Sequence, residues 1–268
     1  MTAALGIYRL LEPIGAGSTA VVYRAVDPQG RMVALKEPRL DEHEAEIRHL
    51  LAREIAVLSR IRSPFVAALV DGDVTGERPY IVTQYVAGVP LRNLVGTYGP
   101  LRGAALHRFG RQLATALAAV HAAGVVHRDL TPANIMVLGG SPVVVDFGIA
   151  HDAADARSTR PGMLVGTPAY LAPELVEGER ATAASDVFAW AATLADAATG
   201  RPPFGNGSLH GVCYRILRGM ADLDGIAEPL RSLLELGLRR DPADRPPAAW
   251  FAATLAAWSA APAAAAAA

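Results

Sequence analysis

The run His127-Arg128-Asp129-Leu130-Thr131-Pro132-Ala133-Asn134, with Val145-Asp146-Phe147-Gly148 beyond it, restricts this chain more than any other feature. Asp146 lies twelve residues after Asn134. Pro132 keeps the first segment out of a helix. Two short apolar runs, Ile135–Leu138 and Val143–Val145, read as a hairpin that returns Asp146 beside Asn134. Asp129, Asn134 and Asp146 then converge. Hard oxygen ligands for magnesium together with a carboxylate near an incoming hydroxyl are what phosphoryl transfer requires. A lone Asp-Phe-Gly is a turn in most proteins, but at this spacing from His-Arg-Asp coincidence is remote.

The pattern on either side differs. Before Pro90 the chain reads as strands and one helix. Tyr8–Glu12, Ala20–Asp27 and Met32–Glu37 are short, rich in Val, Leu or Tyr, and divided by turn residues, which predicts an antiparallel meander. Over Glu42–Ile61 the period changes: Ile47, Leu50, Leu51, Ile55, Leu58 and Ile61 recur at helical steps until Pro64. Strand-like runs at Val66–Asp71 and Tyr80–Tyr85 follow, then Ala87–Pro90 as a hinge. From Gly103 onward helices dominate: Ala104–Ala123, Ser185–Thr199, Leu209–Arg218, Leu230–Leu238 and Pro247–Trp258. His151–Met163 is polar and aperiodic. The predicted class is α+β, a small mostly β lobe (1–87), a larger mainly α lobe (88–257) and an alanine-rich tail or linker start (258–268).

Ile14-Gly15-Ala16-Gly17-Ser18-Thr19-Ala20-Val21-Val22 sits between the first two predicted strands. Glycines there let backbone amides approach phosphate oxygens, although two glycines in a hairpin are often only a turn. Lys36 ends the strand Val33-Ala34-Leu35-Lys36. It reads either as an edge-strand charge or as one half of a buried pair with a glutamate of the following helix, Glu54, with Glu44 and Glu46 as alternatives.

The glycine loop, Val-Ala-Leu-Lys, the helix glutamate, His-Arg-Asp…Asn, Asp-Phe-Gly and Ala172-Pro173-Glu174 occur in the order of the protein kinase signature set. Over about residues 5–256 the chain resembles the bacterial eukaryotic-type (Hanks-type) serine/threonine protein kinases, with a two-lobed kinase-like fold. The resemblance implies that Gly15 and Gly17, with Ile14, Ala16 and Ser18, cover the ATP phosphates. Lys36 contacts the α- and β-phosphates and Glu54 fixes it. Asp129 is the catalytic base, and Asn134 and Asp146 hold Mg2+, or Mn2+ in its place. Val22, Ala34 and Met136 line the adenine site, Thr83 guards a back pocket, and the backbone of Gln84 and Val86 meets the adenine edge. Thr167 in Gly166–Glu174 hydrogen-bonds Asp129 and marks serine/threonine specificity. Ser158 and Thr159, flanked by Arg157 and Arg160, are candidate phosphorylation sites whose phosphate would pair with Arg128. Glu174 pairs with Arg245, and Asp186 anchors the catalytic-loop backbone. His127 packs beneath Asp146 and has no metal role.

Thr131 departs from the family, which places a lysine there to neutralise the transferring phosphate. It supports an alternative of another class, an ATP-binding pseudokinase or weakly active scaffold. A small-molecule phosphotransferase of related fold is a second alternative, opposed by Gly166–Glu174. Composition narrows the rest. With 51% hydrophobic and 19% charged residues the chain should fold, and a formal net charge of -1 gives no reason to expect nucleic acid. Cys213 is the single cysteine, in keeping with a reducing compartment. Neither a secretory signal nor an apolar run of spanning length is evident. The expected partners are ATP and protein substrates, with homodimerisation through the small lobe a family expectation. The expected location is cytoplasmic, either free or as the cytosolic part of a longer membrane-anchored protein.

Overall fold

The computed structural model describes residues 4–17, 19–40, 43–147 and 168–260. The chain divides into two compact units.

The first is built from residues 4–62 and 66–87 with Phe147. Its strands are β1 (Ala4–Leu5), β2 (Tyr8–Ala16), β3 (Ala20–Val26), β4 (Met32–Pro38), β5 (Leu69–Asp73) and β6 (Tyr80–Gln84), with helix α1 (Glu44–Leu58) between β4 and β5. They form one antiparallel sheet in the order β1-β2-β3-β4-β6-β5. Alternation sets its faces: Val33, Leu35, Tyr80 and Val82 join Leu5, Tyr8, Leu10 and Ala25 in the core, while Ala34 and Lys36 point the other way. Helix α1 lies close to β5 at Gly72, where a β-carbon would meet the Ile55 side chain at 2.5 Å.

Two expectations shift here. The first long strand runs on to Ala16 instead of stopping at Glu12, because register shifts between Leu10 and Glu12 and between Pro13 and Gly15 absorb residues that read as breakers. The strand expected at Val66–Asp71 begins only at Leu69.

The second unit comprises residues 63–65, 88–146 and 168–260. Its elements are β7 (Val89–Pro90), α2 (Leu91–Tyr98), α3 (Gly103–Ala122), β8 (Ile135–Leu138), β9 (Ser141–Val144), a 3-10 turn (Pro168–Tyr170), α4 (Pro173–Val176), α5 (Ala183–Thr199), α6 (Leu209–Leu217), α7 (Leu230–Gly237), a 3-10 turn (Pro242–Asp244) and α8 (Ala248–Ala260). The expected hinge at Ala87–Pro90 is partly ordered, since Val89 and Pro90 pair with Val137 and Met136 to give a sheet of order β7-β8-β9. Gly88 permits that approach; a β-carbon there would sit 2.6 Å from the Val137 carbonyl oxygen. Helix α5 is buried almost all round, so it reads as a continuous apolar run. Trp190 donates from its indole to the Gly110 carbonyl of α3 at 3.2 Å, and its ring lies tilted at 45° to that of Phe251 of α8, 4.7 Å away between centroids. Among the described residues no helix is long and apolar enough to cross a membrane.

Candidate active site

In the β lobe one cross-strand row runs Gly15, Val22, Lys36, Ile81, and the next places Ala34 beside Thr83. Directly paired residues share a face, as do residues two apart on a strand. Val22, Ala34, Lys36 and Thr83 therefore share the face opposite the core. The Lys36 ammonium lies 3.1 Å from Glu54 Oε1, and Glu54 is buried. Of the three candidate glutamates, Glu54 is the one placed against Lys36, while Glu44 pairs with Arg48. Lys36 is also the only lysine among the 25 lysine and arginine residues. Arginine occupies every other cationic position, so a compact ammonium is kept where a planar fork would not serve. That count is a signal the motif reading did not use. Gly15, Ala16 and Ile14 are exposed at the end of β2, and the Gly17 amide donates to the Ala20 carbonyl at 2.9 Å. Ser18 lies outside the described residues. The Gln84 amide is committed to the Ala68 carbonyl at 2.8 Å, so any adenine contact at Gln84 falls to its carbonyl. Val86 is buried, and Met136 stands on β8 opposite Pro90 and Val143.

In the α lobe the loop 127–134 hangs from Asp186, in the first turn of α5 and 1% exposed. The backbone amides of His127 and Arg128 donate to its two carboxylate oxygens at 2.7 and 2.8 Å, and His121 Nε2 lies 2.9 Å from it. Sequence reasoning missed His121, although it stands in the last turn of α3, six residues before His127. The Thr193 hydroxyl of α5 donates to the Leu130 carbonyl at 3.1 Å, and the Arg92 amide to that of Pro132 at 3.1 Å. A charged acceptor and a rigid helix thus fix the loop backbone on either side of Asp129.

Asn134 completes the constellation. Its side-chain amide donates to the Asp129 carboxylate at 2.7 Å and to the Asp129 carbonyl at 2.9 Å. Both Nδ2 protons are then used, and Oδ1 is left as a ligand. The Val145 amide donates to the Asn134 carbonyl at 2.9 Å, which sets exposed Asp146 beside Asn134 across the β8–β9 hairpin. Arg128 (φ 71°) and Asp146 (φ 54°) are the only described non-glycine residues with positive φ. Strain of about 1–3 kcal/mol at such positions clusters where geometry serves function. His127 is fully buried: its Nδ1 accepts the Asp129 amide at 3.3 Å, and burial holds its pKa below the ordinary value despite nearby Asp186, Asp129 and Asp146. It is neutral at ordinary pH and serves packing. Thr131 is buried. Gly148, Ser158, Thr159 and Thr167 lie outside the described residues.

Arg245 and Glu174 form a bidentate pair at 2.8 Å on both arms. Among the described residues no group of three or more His, Cys, Asp or Glu could hold a metal alone. An amide oxygen and a carboxylate do fit a hard divalent cation that completes its shell with phosphate oxygens and water.

The protein kinase domain model matches residues 8–254. The chain is 37% identical over 254 residues to the serine/threonine-protein kinase AfsK of Streptomyces coelicolor, covering 94% of this chain and 32% of that protein. It is 38% identical over 259 residues to PkaA of the same organism, covering 90% and 48%, and 35% identical over 251 residues to PknD of Mycobacterium tuberculosis, covering 90% and 38%. The chain thus spans less than half the length of these curated relatives. Among solved structures it resembles Rad53 in complex with AMP-PNP, with a TM-score of 0.78 and 25% identity over 92% of this chain and 64% of that one. A matched domain over nearly the whole length, a β lobe carrying Lys36–Glu54 and an α lobe carrying Asp129, Asn134 and Asp146 identify the chain as a member of the protein kinase domain family.

Proposed function

We propose that the chain transfers the γ-phosphoryl group of ATP to serine and threonine hydroxyls of protein substrates. The observation that carries this reading is the Asn134 side chain clamped on Asp129 with Asp146 beside it, on a loop anchored by Asp186. Membership of the family implies use of ATP and a divalent metal. Magnesium, with manganese as a substitute, suits Asn134 Oδ1 and the Asp146 carboxylate, and its charge would offset that developing on the phosphoryl oxygens.

Asp129 orients the acceptor hydroxyl and takes its proton as the oxygen bonds to γ-phosphorus. The bond from γ-phosphorus to its bridging oxygen breaks, and ADP leaves. Lys36, held by Glu54, receives the α- and β-phosphates, under backbone contributed by Ile14, Gly15, Ala16, Gly17 and Ser18. Val22, Ala34 and Met136 pack on adenine, with Thr83 behind it and the Gln84 carbonyl and Val86 at its edge. Thr167 positions Asp129, and phosphate on Ser158 or Thr159 orders the segment that bears them.

Residues 1–87 and 88–257 act as the two lobes, 258–268 are an alanine-rich tail or linker start, and the chain works in the cytoplasm. Self-association through the β lobe rests on the family resemblance alone. Retention of Lys36, Glu54, Asp129, Asn134 and Asp146, and relatives named as serine/threonine kinases, favour the enzyme over a pseudokinase despite Thr131. The test is to incubate the chain with ATP, magnesium and a generic basic protein, then map phosphate by mass spectrometry. Phosphoserine or phosphothreonine is expected on the added protein or on the chain. ATP binding with neither would overturn the reading.

A further inference from the structure

Helix α1 carries Glu54, yet apolar burial holds little of it. Leu51, Glu54 and Leu58 are its only buried residues, and no side chain caps its first turn. It meets β5 closely at Ile55 against Gly72. Helices in proteins are placed mainly by burying an apolar face, so a helix with two buried apolar residues needs a further restraint. The Lys36–Glu54 pair by itself is one point about which the helix can turn.

Arg48 supplies that restraint. Its side chain is 22% exposed, and every N–H of its guanidinium is engaged. Nε and Nη2 donate to Glu44 Oε1, one turn earlier on α1, at 2.8 and 2.6 Å. Nη1 donates to the carbonyls of Val74 and Gly76 at 2.6 and 2.8 Å, and Nη2 to that of Glu77 at 3.3 Å. Those three carbonyls belong to the turn between β5 and β6. The turn is itself fixed: Asp73 Oδ1 accepts the amides of Thr75 and Gly76 at 2.8 and 3.2 Å and the Thr75 hydroxyl at 2.8 Å. An ion pair one turn apart on a helix surface does little alone, but it aims a planar fork whose other donors meet backbone.

Arg48 precedes Glu54 by six residues, which is ~9 Å along the helix axis and about 120° around it. Two tethers so separated restrain rotation and tilt together, as one cannot. Both end on the same sheet, because β5 pairs with β6 and β6 pairs with β4 at Ile81 and Lys36. Resting on the kinase reading, we propose that Arg48, by gripping the β5–β6 turn, is a positioning residue that keeps Glu54 on Lys36 and so keeps the ammonium aimed at the nucleotide phosphates. It acts through Glu54 and touches neither nucleotide nor substrate.

The test places Arg48→Met in the whole chain, alone and together with Glu54→Gln, and measures phosphoryl transfer per folded molecule at varied ATP. Arg48→Met alone should lower kcat/KM for ATP roughly tenfold, a coupling of the size found between interacting residues. In the Glu54→Gln background the same change should alter kcat/KM by less than about twofold, because the group through which Arg48 acts is already gone. Equal losses in both backgrounds, the mark of a purely structural role, would overturn the proposal. So would an unchanged kcat/KM in folded Arg48→Met. If Arg48→Met does not fold, Glu44→Gln loosens the same guanidinium from a half-exposed position and should give a smaller loss that again depends on Glu54; a loss independent of Glu54 would count against the proposal. Lys36 is the only lysine, so 13C-lysine labelling gives one side-chain resonance that is read without catalysis. In Arg48→Met, or in Glu44→Gln, it should move toward its position in Glu54→Gln, and a signal that stays at the parental position would refute the tether. A parent chain that phosphorylates neither added protein nor itself would overturn the kinase reading, while the resonance would still decide whether Arg48 holds the pair.

Discussion

Arg245 offers the sharpest energetic test of the α lobe. Its guanidinium side chain is wholly buried and spends all five N–H donors: two on Glu174 at 2.8 Å, and three on the carbonyls of Ala184, Arg239 and Arg240 at 2.9, 2.7 and 2.8 Å. It also lies 5.1 Å from the centre of the Phe188 ring. Burial alone would raise the Glu174 pKa, but the Arg245 guanidinium and the Ser185 hydroxyl outweigh it and hold the carboxyl low. Arg245→Ala would strand a buried carboxylate and three carbonyls, so a loss of about 3–5 kcal/mol is expected. That is a fifth or more of the ~5–15 kcal/mol available to a domain. Arg245→Lys keeps the charge but not the fork, and should lose about 2 kcal/mol. The assay is denaturant unfolding followed by tryptophan fluorescence, which reports this lobe alone because Trp190, Trp250 and Trp258 all lie in it. Replacing both partners by apolar residues should be milder than the sum of the single changes. Glu174 titrates lower when folded, so its contribution is complete above pH ~4.5 and fades as pH falls further. An Arg245→Ala loss under 1 kcal/mol, or strict additivity in the double variant, would refute the reasoning.

Three further outcomes are expected. Asp186→Asn removes a charged acceptor from the His127 and Arg128 amides, so it should destabilise by about 3 kcal/mol and slow transfer by ~100-fold per folded molecule; a wild-type rate in the folded fraction would contradict this. An amine-directed acylating reagent should modify only Lys36 and the α-amino group, and ATP with magnesium at about ten times Kd should cut Lys36 labelling roughly tenfold; mass spectrometry showing equal labelling would remove Lys36 from the nucleotide site. The unfolded state takes up a proton at His127 near pH 6.5 while the folded state, with its lowered pKa, does not. Stability should therefore fall as pH drops below about 6.5, by up to ~1.4 kcal/mol per pH unit, and a His127→Gln variant should show a flatter profile in denaturant titrations.

Much of the site was legible because its chemistry needs particular atoms at fixed chain spacings. Asp129, Asn134 and Asp146 converge for the reason the spacing implied: a proline-bounded loop and a hairpin returning on itself. The Lys36–Glu54 pair was one of three candidates until burial separated Glu54 from Glu44 and Glu46. What was not legible depends on tertiary support. Pro13 and Gly15 read as breakers, yet β2 continues through them because β3 supplies a partner that tolerates bulges. Val89 and Pro90 form a strand only because β8 lies alongside, and α2 is a two-turn helix interrupted by Gly96, which reads as a breaker in the sequence.

The central claim, that Asp129 acts on the acceptor hydroxyl within an anchored, metal-ready loop, is tested most directly by single-turnover phosphoryl transfer in Asp129→Asn with nucleotide affinity measured on the same sample. Loss of a general base should slow transfer by about 100- to 10,000-fold while ATP affinity stays within a few-fold of the parent. Transfer at the parental rate, or a parallel collapse of nucleotide binding, would contradict the account.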